Sequence, residues 1–275
     1  MKGVLASLSP DAQVEDMTHD LSAGGVTEAG FVLARYWSRY PEGTVHIVVV
    51  DPGVGTRRRP LAVEADRRFL VAPDNGVLSR VLEEAGAWRA VELTEEEYLL
   101  PRRSRTFHGR DVFAPAAAHL SLGVAISRLG RTVSDPVRHS LPHPEWARDG
   151  VVGAVVYVDR FGNLSTNLPG AVLEAVKRGE GPTVELENRS IPVGHTYGSV
   201  RPGRLVALVN SDGRVEVALR DGSARKHTGE GVGARVRISG LRPTTVDRLR
   251  RADQASSSPP GASGSTIRRR SPERP

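Results

Sequence analysis

His46-Ile47-Val48-Val49-Val50-Asp51-Pro52-Gly53-Val54-Gly55-Thr56-Arg57-Arg58 is the stretch on which the fold of this chain turns. Its β-branched run reads as a buried strand, and the Pro-Gly-Val-Gly segment that follows must turn. Asp51 therefore stands at the carboxyl end of a strand, where open α/β sheets hold their ligands. A second loop, Thr106-Phe107-His108-Gly109-Arg110-Asp111, sets a histidine, a carboxylate and an arginine around another glycine. Together the two loops point to an enzyme.

On either side of these loops the apolar pattern alternates between two periods. Residues 24–37 repeat with a period near 3.6 and predict a helix, and residues 2–9 form a short apolar-rich segment. Strands are predicted at 45–50, 60–64 and 68–72, then a helix over 76–85 entered from Pro73-Asp74-Asn75-Gly76. Apolar spacing at Val112, Phe113, Ala116, Ala117 and Leu120 predicts a helix over 111–122. This mixture predicts an α/β domain with a Rossmann-like sheet over 1–140. Past a Pro- and His-rich linker at 141–150 the texture becomes short β runs, Val151–Val158, Val184–Leu186, Leu205–Val209, Val215–Leu219 and Ala234–Ile238. Turn signals separate them, which predicts a smaller all-β barrel over 151–250. Residues 251–275 lack apolar periodicity and are expected to be a disordered tail.

Composition narrows the function classes. The 275 residues include no cysteine, which removes disulfides, thiolate nucleophiles and cysteine-bound metals. No apolar run reaches the length of a membrane span, and the N-terminus lacks a signal-peptide pattern. A cytoplasmic protein without a membrane partner is expected. The net charge of +6 comes from arginines scattered through every segment, which fits a solvated surface better than a nucleic-acid partner.

Unaided, the two loops allow two readings. Asp51, His108, Arg110 and Asp111 could form a salt-bridged network beneath a turn. Alternatively, a histidine with a carboxylate can serve as a general base, beside an arginine that stabilises an anion such as hydroxide. No metal-ligand spacing surrounds His108, and no Gly-x-Ser-x-Gly nucleophile motif is present.

Four runs, in order, resemble the S-adenosyl-L-methionine (SAM) hydrolase family, also called SAM hydroxide adenosyltransferases and related to the SAM-dependent fluorinase and chlorinase. They are 46–58, Ala72-Pro73-Asp74-Asn75-Gly76, Thr106 to Ala117, and Asp159-Arg160-Phe161-Gly162-Asn163. The resemblance implies a homotrimer with SAM between the N-terminal domain of one subunit and the C-terminal domain of the next. It implies attack of water or hydroxide on the ribose C5′, giving adenosine and L-methionine. SAM is then the substrate, and neither a metal nor a cofactor is expected. By similarity Asp51 and His108 orient and deprotonate the water, with the choice of proton acceptor open, and Arg58 stabilises the hydroxide. Gly109 stands where the fluorinase carries a fluoride-binding serine.

The same resemblance assigns substrate contacts. Asp159 pairs with the methionine ammonium, Phe161 and Asn163 face adenine, Tyr197 adds an aromatic wall, and Ser211 lies near the methionine carboxylate. Asn75 lines the pocket. Relatives usually carry, ahead of the Met1-Lys2-Gly3-Val4 seen here, a strand and an aspartate-bearing loop that grips the ribose. The expectation is therefore a missing first strand, translation starting upstream, and weak SAM binding by the chain as written. Two alternatives to hydrolysis follow, a weakened SAM- or adenosine-binding protein and a halogenase-like activity.

Overall fold

A computed structural model of the chain describes residues 1–139, 143–175 and 183–257. The N-terminal half runs α1 (Lys2–Leu8), α2 (Val26–Tyr36), β1 (Val45–Ile47), β2 (Pro60–Ala65), β3 (Arg68–Pro73), α3 (Ser79–Glu84), β4 (Trp88–Leu93), α4 (Ala114–Ser121) and β5 (Gly130–Val133). Its five strands form one sheet in the order β1-β3-β2-β4-β5. Side chains on β2 and β3 alternate between the two faces, as the pleat requires. Ala62 and Val71 join the core beneath α1 and α4, whereas Leu61, Val63, Leu70 and Ala72 join that of α2 and α3.

This sheet corrects the Rossmann-like expectation, because it is mixed. Within it β1 and β3 pair in parallel, and the remaining pairs are antiparallel. The cause is local. Only Asp66 and Arg67 separate β2 from β3, both at positive φ (42° and 63°), and a two-residue turn of that hand forces a hairpin. The first expected strand is also shorter than its apolar run. Pairing stops at Ile47, although Val48 N–H still donates to Val71 O at 2.9 Å.

The C-terminal half comprises β6 (Glu145–Ala147), β7 (Gly150–Val158), β8 (Leu164–Pro169), α5 (Ala171–Ala175), β9 (Thr183–Leu186), β10 (Arg189–Ile191), β11 (Leu205–Val209), β12 (Arg214–Leu219), α6 (Ala224–Thr228), β13 (Arg235–Ser239) and α7 (Pro243–Ser257). The antiparallel path β10-β9-β13-β7-β8-β12-β11 curls until Val193 bridges Ala207 and nearly closes it. A bulge between Val155 and Tyr157 bends β7, so that its two halves serve different sides of the barrel. Leu164, Leu168, Leu173, Leu186 and Ile238 fill the interior.

Two boundary expectations meet contrary residues. The stretch read as a linker contains β6, which pairs with β7. The stretch read as a tail from 251 begins inside α7, whose Val246 and Leu249 are buried against the barrel core. Pro243 sets the φ of its first residue, and the polar sequence around those two anchors hides the helical period. Residues 141–142 and 258–275 of those expectations lie outside the described residues. Among the described residues no helix is long and apolar enough to cross a membrane.

Candidate active site

Asp51 follows the extended continuation of β1, and the chain at once reverses. Val54 N–H donates to Asp51 O, Thr56 Oγ1 donates to Gly53 O at 2.7 Å, and Gly55 takes φ +82°. That reversal returns Arg58 beside Asp51 just before β2 begins. Arg58 Nε donates to Asp51 Oδ1 and Oδ2 at 3.1 and 3.0 Å, and Nη2 donates to Oδ2 as well. Asn75, at the entrance to α3, donates from Nδ2 to Val50 O at 2.8 Å and accepts from Val77 N–H at 3.2 Å. Both ends of its amide thus brace the strand end that carries Asp51.

His108 arrives from the other loop, at the start of a single π-helical turn, Gly109–Phe113, that leads into α4. Such turns recur at functional sites. Arg58 Nη2 donates to His108 Nδ1 at 2.9 Å, and the guanidinium lies 5.3 Å from the centre of the Phe113 ring. A guanidinium has no acceptor, so Nδ1 must accept and the proton of the neutral imidazole sits on Nε2. Burial, and then the neighbouring Arg58 charge, push the His108 pKa below its ordinary value near 6.5. His108 also walls a cavity of about 350 Å³ together with Pro60, Leu93, Leu99, Val112 and Arg103.

The Asp51 and Arg58 side chains are 6% and 7% exposed, so neither charge is screened by bulk water. Arg58 Nη1 is nevertheless buried with no acceptor. A buried donor without a partner, on a guanidinium that already bridges a carboxylate and a neutral imidazole, is a seat for a small oxygen species. The sequence-expected triad is assembled in space, and one of its hydrogen-bond positions is open.

The remaining residues of the second loop hold it in shape. Asp111 is fully buried and accepts from Arg110 Nε at 2.5 Å and from Ser104 N–H at 2.7 Å. The Arg110 hydrogen bond is the main reason its carboxyl lies below the usual carboxylate range. Replacing Asp111 by alanine is expected to destabilise the fold by about 1–2 kcal/mol, because it leaves Ser104 N–H without its acceptor, while the half-exposed Arg110 turns to water. A urea titration checks this through a lower midpoint at unchanged slope. A Cβ added at Gly109 would lie 3.2 Å from Met1 Sδ and 3.6 Å from Val49 Cγ1, so the space beside this glycine is occupied.

The C-terminal domain gathers its own set. Asp159 Oδ1 accepts from Phe161 N–H and Asn163 N–H, both at 2.9 Å, and Oδ2 accepts from Asn163 Nδ2 at 3.0 Å. Gly162 takes φ +85°, and a Cβ there would overlap Ser223 Oγ, so this turn admits glycine alone. Phe161 and Tyr197 are 63% and 47% exposed, which leaves aromatic surface open beside the turn. Tyr197 donates to Glu216 Oε1 at 3.0 Å, and burial together with that carboxylate raises its pKa to about 12. Among the described residues no hydrogen bond or ion pair joins this group to Asp51, Arg58 or His108.

Two residues near this set escape sequence reasoning. Glu216 is 4% exposed inside β12, where Ser165 Oγ, Asn210 Nδ2 and Tyr197 all donate to it. An acid in the middle of Val215–Leu219 was the available signal. Arg35 of α2 donates to Ser211 Oγ at 3.3 Å and pairs with Asp212 at 2.7 Å. The sequence separation of 176 residues leaves no local trace of that contact.

Residues 1–130 match the SAM hydroxide adenosyltransferase N-terminal domain, and residues 153–237 match the corresponding C-terminal domain. The chain belongs to the SAM hydroxide adenosyltransferase family. It is 41% identical over 240 residues to a Salinispora tropica protein named (R)-S-adenosyl-L-methionine hydrolase, covering 86% of this chain and 90% of that one. A Thermus thermophilus protein of the same name is 39% identical over 251 residues, with coverages of 86% and 92%. A Nocardia brasiliensis fluorinase is more distant, at 27% over 250 residues, covering 79% of this chain and 83% of its own. The fold matches a crystal structure of a conserved Thermotoga maritima protein with TM-score 0.80 and 34% identity, over 86% of this chain and 93% of that one. The SAM hydroxide adenosyltransferase chain described here is an enzyme, and its two family domains coincide with the mixed sheet and the barrel.

Proposed function

We propose that this protein hydrolyses SAM to adenosine and L-methionine. The observation that carries the proposal is Arg58, whose Nη2 donates to both Asp51 and His108 while its buried Nη1 has no acceptor. A water seated there receives a hydrogen bond from Arg58. His108 Nε2–H, the proton-bearing nitrogen, donates rather than accepts, so the acceptor of the water's proton is Asp51 Oδ1, which keeps a free lone pair. The oxygen then bonds to C5′ as the C5′–S bond breaks. The electron pair stays on sulfur, which leaves as the neutral thioether of methionine. No general acid, redox step or cofactor is required.

Asp159, Phe161, Asn163, Tyr197 and Ser211 are proposed to hold the adenine and methionine portions, with Asn75 and Gly109 shaping the nucleophile's side. The exposed faces of Phe161 and Tyr197 support completion of the site by a second subunit, and the homotrimer is proposed on the family resemblance. A cytoplasmic location is proposed with it, since the substrate is a soluble metabolite. The greater distance of the fluorinase, 27% against 39–41% for the hydrolases, supports water over halide.

Incubating the full chain with SAM, alone and with chloride or fluoride, tests the proposal. Adenosine and methionine are expected in equal amounts whatever the halide. A 5′-halogenated nucleoside in place of adenosine would overturn the choice of nucleophile. Retention of SAM with no product would make the chain a binding protein instead.

A further inference from the structure

Glu216 is a buried acid that the attack of water on C5′ does not itself use. It lies in β12 and is 4% exposed. Neutral donors hold its carboxylate: Tyr197 OH at 3.0 Å from Oε1, and Ser165 Oγ and Asn210 Nδ2 at 3.2 and 3.4 Å from Oε2. Burial raises its pKa, the hydrogen bonds from Tyr197 and Asn210 oppose the rise, and the Asp159 charge adds to it. A buried carboxylate is costly where an apolar side chain of similar volume would fill the same space. Its role therefore lies in what it does for the residues bonded to it.

Each of its two oxygens serves a different part of the proposed substrate set. Oε1 holds the hydroxyl of Tyr197, which is half-exposed in the single turn Tyr197–Ser199. A ring tied at its tip keeps one orientation, so binding against it costs less rotamer entropy. Oε2 faces Asn210. A carboxylate only accepts, so it selects the Nδ2 end of the amide, which also donates to Ser165 Oγ at 3.2 Å. The Oδ1 end is thereby turned to the loop 210–214, where it accepts from Asp212 N–H at 3.0 Å and Arg214 N–H at 3.1 Å. Those two hydrogen bonds shape the turn that carries Ser211. Ser165 and Asn210 also line a cavity of about 220 Å³ between the barrel and α2, together with Arg35, which donates to Ser211 Oγ.

We infer that Glu216 is a positioning residue for the substrate, which fixes the Tyr197 ring and the Ser211 turn relative to each other and so couples the adenine and methionine subsites of the barrel. The inference rests on the SAM reading of the site and deepens it. Glu216 acts through Tyr197 and Asn210, not on the reacting atoms. A change at this position is therefore felt at both subsites and spares Asp51, Arg58 and His108, which lie in the other domain.

Calorimetric titration of the full chain with SAM, adenosine and free L-methionine, beside steady-state turnover, tests the inference in Glu216→Met and Glu216→Gln. The first variant removes every hydrogen bond of the acid at similar volume. Its Kd and KM for SAM are expected to rise about tenfold, with weaker binding of adenosine and of L-methionine alike, and kcat should stay within about twofold of the parent. Glu216→Gln should restore most of the affinity, because its oxygen can accept from Asn210 while its amide donates to the Tyr197 oxygen. Tyr197→Phe cuts one link and should weaken adenosine alone, whereas Asn210→Ala cuts the other and should weaken L-methionine alone. Should Glu216→Met fail to fold, these two variants carry the test, and unchanged affinities in both overturn the inference. Unchanged affinities in a folded Glu216→Met would overturn it as well, as would a fall in kcat and Tm with no change in Kd, the sign of a merely structural acid. A Glu216→Gln variant no better than Glu216→Met would do the same. A parent that binds SAM without turning it over would overturn hydrolysis and leave the affinities to decide the inference. A parent that binds no SAM would remove both.

Discussion

Exchanging Arg58 for methionine is expected to lower SAM turnover by about 10³-fold, the scale for losing a preorganised donor to a developing or bound anion. The geometry makes this side chain do three things. It pairs with both oxygens of Asp51, donates to His108 Nδ1, and keeps Nη1 free. Methionine fills much of the volume but leaves the Asp51 carboxylate, 6% exposed, without its cation. A stability loss of about 3 kcal/mol should therefore accompany the loss of turnover. Lysine should not rescue, because one ammonium cannot span two carboxylate oxygens and an imidazole nitrogen as a planar fork does. Steady-state kinetics and a urea titration on both variants check these expectations. Turnover within about tenfold of the parent would remove Arg58 from the chemistry.

Replacing His108 by alanine is expected to reduce turnover by about 10²-fold or more while leaving SAM affinity nearly unchanged. The histidine touches Arg58, and the residues proposed to hold adenine and methionine lie in the other domain. Its titration gives a second expectation, on pH. The neutral imidazole accepts from Arg58, and protonation would break that hydrogen bond and set two cations side by side. Because burial and Arg58 lower its pKa, activity should be complete above about 6.5 and fall on acidification, with a midpoint below that value. The stability contribution has the same sign. It is present above the unfolded-state pKa and is lost as pH falls through the depressed folded-state value. The residual activity of His108→Ala should lose this acid limb. A limb centred above 6.5, or one that persists in the variant, would contradict the assignment.

Much of this site is written in short-range sequence. Asp51 could be placed at a strand end from five apolar residues and a Pro-Gly turn, because strand period and turn chemistry are local properties. Arg58 and His108 were legible as members of dense loops, but their contact, across 50 residues, was legible only through resemblance. The direction of the β2–β3 pair was hidden for a specific reason. Asp66-Arg67 makes a hairpin turn without the Asn-Gly or Asp-Gly composition that announces one. β8 was missed because Leu164-Ser165-Thr166-Asn167-Leu168-Pro169 carries three polar residues that are all buried. Thr166, for one, donates to Val215 O within the barrel. The grouping of Arg35, Arg39, Arg80 and Arg214 around one cavity was invisible for the opposite reason, since each arginine taken singly reads as a solvated surface charge. Only the packing of α2 and α3 on the barrel brings them together.

The most direct test of water attack at C5′ is to run the reaction in water enriched in ¹⁸O and weigh both products. The expected result is adenosine carrying one ¹⁸O in its 5′-hydroxyl and methionine carrying none. Adenosine without the label, or a product in which the C5′–S bond is intact, would contradict the account.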